Sequence, residues 1–238
     1  MDVRQGISSR RLILSGVDQG YDRPQDGGRV DVYAEDLELK DVAIQTGSVR
    51  YTRSVRFHGN VTTFGAITKE KLFDFQTAED HLNDLQFKLL DYPVNGSTNR
   101  VCETDGKNCT LTLAGNNRIL NRFQVEERDL INLKFLKVRV PEKSTAVVLL
   151  QSKDVHFRNV RVEAPQESIW TLGLPGGKFK VEFMELPGTV VLLSSAFELD
   201  RALLTGRVLS KTFSSPDCFE DGSCSTIDSS SLPGRICL

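Results

Sequence analysis

Three groups of carboxylates are the first candidates for chemistry in this chain: Asp31 with Glu35 and Asp36, Glu126 with Glu127 and Asp129, and Glu163 with Glu167. Paired carboxylates cleave glycosidic bonds, one as general acid and one as base or nucleophile, when the fold holds them roughly 5–10 Å apart. None of these spacings forces that convergence, and solvated turns and outward strand positions account for all of them. The histidines His58, His81 and His156 are scattered, with no HxH or HExxH spacing and no nearby cysteine, so they define no zinc site. The serines include no GxSxG nucleophile elbow. The run from Gly173 to Gly177 lacks the Lys-Ser/Thr of a phosphate loop and reads as a turn. Asp217, Glu220 and Asp221 crowd one loop without EF-hand spacing, which favours a solvated acidic loop over a calcium site. No catalytic residue, metal ligand or cofactor is expected, calcium at that loop being the one alternative.

The cysteines carry a clearer message. Cys102 and Cys109 bracket Asp105-Gly106, and Cys218 and Cys224 bracket Asp221-Gly222. Two close pairs, each around a strong turn dipeptide, predict two local disulfides formed in an oxidising compartment. Cys237 is left over. Asn60, Asn95 and Asn108 each open an N-x-Ser/Thr sequon and are candidate glycosylation sites, the expected disulfide at Cys109 competing with modification of Asn108. The chain of 238 residues has 30 basic and 32 acidic side chains, a net charge of −2, which gives no reason to expect nucleic acid as a partner. No apolar run approaches the ~18 residues of a membrane-spanning helix. Met1 to Gln5 leads into polar sequence and Leu12-Ile13-Leu14 is too short for a signal h-region, so the chain reads as cytosolic or as a mature domain with an added start. The cysteines and sequons favour the second, and with it an extracellular or cell-surface location.

The elements that must position any such group are short and repetitive. Apolar residues recur as alternate pairs, Val30/Val32, Leu37/Leu39, Val42/Ile44, Val49/Tyr51 and Val55/Phe57, then Leu111/Leu113, Leu133/Phe135, Val138/Val140, Val147/Leu149, Val155/Phe157 and Val160/Val162. Each pair is a strand long enough to place two side chains on one face. The series continues through Phe179/Val181/Phe183, Val190/Leu192 and Phe197/Leu199. Parity slips after Phe135 and after Phe157, and a bend at each slip keeps the apolar set inside. Pairs this short around a narrow core argue for a solenoid of the β-helix type. Residues 74–91 break the pattern: Phe75, Ala78, Leu82, Leu85 and Leu89 form one stripe of an amphipathic helix, roughly 25 Å long, stopped by Pro93. Trp170, the sole tryptophan, lies between Ile169 and Leu172 and reads as a core anchor rather than a ligand contact. Residues 1–213 thus read as one β-helix domain, and 214–238 as a Ser-rich, disulfide-bearing tail or linker.

In order along the chain, "GGRVDVYAEDLELKDVAI", "LFDFQTAEDHLNDLQFKL", "PVNG", "TLTLAG", "NRFQVEERDLINLKFLKVRVPEKSTAVVLLQSKDVHF", "ESIWTLG", "LPGTVVLLSSAFEL" and "LLTGRVLS" resemble the choice-of-anchor A domain. The resemblance covers roughly residues 10–213. That family occurs in secreted and surface proteins, often adhesin-like and held by varied C-terminal anchors. Its architecture is similar to that of ice-binding proteins, an irregular right-handed β-helix with one long α-helix packed alongside. The resemblance implies a non-enzymatic adhesion or surface-display domain that binds a glycan or a matrix or cell-surface protein. Ice binding is a weaker alternative: Thr62-Thr63 is the only adjacent threonine pair, and outward positions carry Arg, Lys and Glu. A carbohydrate-active β-helix enzyme is the third.

Overall fold

The computed structural model describes residues 2–3, 7–17, 29–40, 42–44, 49–58, 62–63, 65–69, 75–165, 169–172, 176–215 and 225–228. Short alternating strands cannot each bury a face alone, so they stack into a β-solenoid of about six turns. Its largest part starts at β9 (Cys109–Ala114), and β10 (Leu120–Val125) completes the first coil. The short helix α2 (Glu127–Leu130) leads into β11 (Leu133–Arg139), β12 (Thr145–Leu150) and β13 (Asp154–Arg158). The next coil is β14 (Arg161–Glu163), β15 (Ile169–Leu172) and β16 (Lys178–Glu182), followed by β17 (Glu185–Asp200) and β18 (Leu203–Ser215).

Three parallel stacks result. One face is β9-β11-β14. The second runs β10-β12-β15-β17-β18 and the third β13-β16-β17-β18. Strands β17 and β18 serve two faces because each bends without breaking, at a register shift between Leu192 and Ala196. Val190, Leu192, Phe197 and Leu199 all stay buried across that bend although their parity slips. Inside, Phe157, Phe179, Phe197 and Phe213 form a ladder through four coils, with ring centroids 5.5, 5.7 and 5.7 Å apart. Gly177 sits at a close approach of two coils: a Cβ there would lie 1.5 Å from the Lys153 carbonyl oxygen.

The helix expected over 74–91 forms as α1 (Phe75–Asp91). Its Leu89 is buried against Val147, Leu149 and Val191, with Leu85, Leu90, Leu120 and Leu209 packed around it. Both faces of β12 are therefore covered, which explains its continuous apolar run. Arg122, on β10, donates to the carbonyl of Tyr92 just past the helix end, a cation at the negative pole of the helix dipole. Burial holds its guanidinium below the ordinary value, and Asp91 partly offsets that. No helix among the described residues is long and apolar enough to cross a membrane.

The first coil is capped. Asn95 and Gly96 donate their backbone N–H groups to the Arg122 carbonyl at 3.3 and 3.1 Å, and the Thr98 hydroxyl donates to that of Gln124 at 3.3 Å. Strand β8 (Ser97–Cys102) then pairs antiparallel with β9. At the chain's start lie β1 (Asp2–Val3), β2 (Ile7–Val17), β3 (Arg29–Lys40), β4 (Val42–Ile44), β5 (Val49–His58), β6 (Thr62–Thr63) and β7 (Ile67–Lys69). β3, β5 and β7 stack in parallel, as do β4 and β6. β2 runs antiparallel between β18 and β3, so the early stack adjoins the last coils instead of forming one uninterrupted run. β19 (Ser225–Asp228) pairs with β18 and β1.

Four strand pairs differ from expectation. Phe57, paired with Val55, is 47 % exposed, and Val147 and Leu149 face α1 while Val148 and Leu150 line the interior. A bulge between Leu133 and Phe135 turns Phe135 outward, leaving Leu133, Leu136 and Val138 as the inward set of β11. Phe183 leaves the Phe179/Val181 alternation because its backbone is left-handed, with φ of 53°.

Candidate functional site

Where one solenoid face runs out, a groove opens. β9 and β11 are 6 and 7 residues long, β14 only 3, and the sheet ends there. The next coil crosses that side with the corner Phe183–Glu185 alone. The taper leaves a recess of about 790 Å³, inside the ~300–1,000 Å³ range of small-ligand sites.

Its aromatic side chains come from two of the departures just described. Phe135 projects from the bulge and is 41 % exposed, while Phe183 projects from the corner and is 40 % exposed. Asn159, Phe183 and Arg201 occupy the same corner of three successive coils, with φ of 54°, 53° and 48°. Asparagine suits that conformation and phenylalanine does not, because the left-handed region crowds a bulky Cβ substituent. Phe183 is held there by its backbone N–H, which donates to the Asp200 carbonyl at 3.2 Å. The Arg201 guanidinium lies 3.7 Å from the centroid of its ring. An exposed aromatic in a strained backbone position beside a recess is the pattern of a functional site.

Polar groups line the rest. The loop from Glu103 to Asn108 forms one wall, and it is pinned three times. Cys102 and Cys109 are disulfide-bonded. The backbone N–H of Glu103 donates to the Asn108 carbonyl at 3.0 Å, and the Asn132 side chain donates to the Gly106 carbonyl at 2.9 Å. Within the wall the Asn108 amide donates to Glu103 Oε2 at 2.7 Å. Glu163, which also lines the groove, lies 3.6 Å from Arg161 Nε and 3.7 Å from Lys137 Nζ. Two aromatic platforms, paired charges and amides on rigid elements suit a polyhydroxylated ligand. Such a ligand needs stacking surfaces and both donors and acceptors.

A second charged surface satisfies itself. On the outside of β13, β16 and β17, His156 and Arg158 pair with Glu182 at 2.8 and 3.6 Å. Lys180 pairs with Glu198 and Asp200 at 2.8 and 3.1 Å, and Lys178 also pairs with Glu198. The Glu198 hydrogen bond raises the Lys180 ammonium above its ordinary value, against burial. Burial pushes the Glu198 carboxyl up, but hydrogen bonds from Lys178 and Lys180 outweigh it and hold it below the ordinary range.

Among the described residues, Glu163 is the one carboxylate picked out from sequence that lines the groove. Asp36 binds Arg53 and accepts from the Ser54 hydroxyl at 2.6 Å. Glu126 and Asp129 form a capping box on α2. The side chains of Asp31, Glu35 and Trp170 lie outside the described ones, as do residues Asn60, Glu167, Asp217, Cys218, Glu220, Asp221, Cys224 and Cys237. The three histidines are exposed, and among the described residues no group of three or more His, Cys, Asp or Glu is placed to hold a metal ion. Asn95 is exposed and its amide is engaged at the cap, donating to the Leu120 carbonyl at 2.9 Å and accepting from the Arg122 N–H at 2.7 Å. Sequence reading missed Phe135 and Phe183 because both stand in alternations that read as core. No protein-family model, curated protein or solved structure matches the chain.

Proposed function

We propose that this chain is a non-enzymatic extracellular adhesion or surface-display domain that binds a glycan in the Phe135–Phe183 groove. The observation that carries the reading is Phe183, an exposed aromatic kept at a corner whose backbone favours asparagine or glycine. Its neighbours supply the amides and carboxylates that recognise hydroxyl groups, and the pinned wall lowers the ordering cost of binding. The Cys102–Cys109 disulfide supports an oxidising, extracellular setting. In this reading the solenoid is right-handed, α1 lies lengthwise along it, and the chain is a choice-of-anchor A domain displayed by its C-terminal tail. The ion-paired outer surface, strongly hydrated, speaks against ice binding.

The test is a glycan and matrix-protein array probed with unglycosylated wild type and unglycosylated Phe135→Ala, with and without calcium. Saturable binding to a glycan, lost in the variant, supports the reading; binding only to matrix proteins, or to nothing, overturns it. Glu103, Glu163 and Glu185 all line the same groove, which favours glycoside cleavage as the second reading. Release of reducing sugar from an array polysaccharide would replace adhesion with that activity.

A further inference from the structure

We infer that Asn108 is a glycan-bearing residue whose own N-linked sugar occupies the groove, so the chain carries a built-in cover over its binding surface. The inference rests on the glycan-binding reading above. Of the two sequon asparagines among the described residues, Asn95 and Asn108, only Asn108 lines the groove. Asn95 has both its amide oxygen and nitrogen committed to the cap of the first coil. Asn108 is exposed, and its nitrogen donates to Glu103 at 2.7 Å. A glycosylated asparagine keeps one N–H, which leaves a donor for Glu103.

The register brings the sequon beside Phe135. Thr110, the third residue of the sequon, has its backbone paired with Phe135. The disulfide and the Glu103–Asn108 backbone bond hold the asparagine on the wall beside that ring. In the modification, Asn108 Nδ2 bonds to the anomeric carbon of a lipid-diphosphate-linked oligosaccharide. The carbon–oxygen bond to the diphosphate breaks, the diphosphate leaves with the electron pair, and the nitrogen loses one proton. The attached pyranose then presents its C–H face to Phe135 and Phe183. Tethering makes its effective concentration on the order of millimolar, enough for a weak intrinsic affinity to fill the groove. A free ligand must then displace a covalently held one.

The test uses the full chain secreted from a glycosylating eukaryotic cell, beside Thr110→Ala, which removes the acceptor motif and leaves Asn108 in place. Site-resolved mass spectrometry reads occupancy of Asn108, and hydroxyl-radical footprinting reads exposure of the two phenylalanines without any added ligand. The expected result is an occupied Asn108 and Phe135 and Phe183 oxidised about threefold or more faster in the variant, the change expected when a sugar no longer covers the rings. Wild type trimmed in its native state to a single residual sugar should keep the slow rate, since that pyranose is the one on the rings, and guards against disturbance of β9. An unmodified Asn108, or equal oxidation with and without the glycan, overturns the inference. Array binding by Thr110→Ala is scored separately: covered rings without array binding would sink the reading of an external ligand and leave the self-cover standing.

Discussion

Replacing Phe183 with asparagine separates function from stability at one residue. An ordinary buried Phe→Ala change costs about 3–5 kcal/mol. At this corner the terms nearly cancel. Relief of the left-handed backbone returns about 1–2 kcal/mol, since asparagine already holds the same conformation at Asn159 one coil earlier. Against that stand the Arg201 contact at 3.7 Å, worth about 0.5–1 kcal/mol, and the lost burial. With 40 % of Phe183 exposed, little more than half of the ~1.5–3 kcal/mol of a fully buried side chain is at stake. The net change in unfolding free energy therefore lies between a gain of about 0.6 and a loss of about 1.8 kcal/mol, while glycan binding falls tenfold or more, the loss of at least ~1.4 kcal/mol. Urea titration and binding isotherms on the same preparation read both. Destabilisation above about 2 kcal/mol would make Phe183 a packing residue and refute the reasoning, as would unchanged binding.

Phe197→Ala removes a ring stacked on both sides at 5.7 Å and is expected to cost about 3–5 kcal/mol by chemical denaturation; a cost below 1 kcal/mol would mean the ladder is not the core. Leu89→Asp places a charge between α1 and β12 and is expected to lower stability by more than about 3 kcal/mol, read by loss of cooperative melting. The Lys180–Glu198 pair sets a pH window. Lys180, raised, stabilises fully below about 10.5 and loses this as pH climbs through its folded value. Glu198, lowered, stabilises above about 4.5 and loses this as pH falls through its folded value. The pair's contribution to the melting temperature should stay level from about pH 5 to 10 and fall on either side, so that the wild type minus Lys180→Met difference shrinks at both ends; a difference of zero throughout would show that the pair contributes nothing.

The solenoid was legible because two-residue alternation survives wherever a coil bends, as from Val190/Leu192 to Phe197/Leu199. The helix was legible from its leucine stripe, and the Cys102–Cys109 bond from the Asp-Gly turn it encloses. The groove was not legible. Phe135 alternates with Leu133 as a core residue would, and nothing local announces the bulge at Lys134. Phe183 continues Phe179/Val181 in the same way, and only its stacking over Asn159 reveals a corner. Alternation reports the period of a strand but not the point at which one residue is inserted or one φ changes sign. The antiparallel placement of β2 was equally hidden, because its partner lies at the far end of the chain.

That placement sets a schedule. Ser9 pairs with Phe213, about two hundred residues further on, and Ile13 with Leu209. At roughly 5–20 residues per second of translation, the first long strand waits on the order of 10–40 s for the neighbour that closes one of its edges. A nascent chain therefore carries an open, strand-ready margin through almost all of its synthesis, and the last coil to emerge is the one that seals it. Newly made molecules at high concentration are most prone to pair with each other in that interval, and a truncation that removes β18 leaves them there permanently.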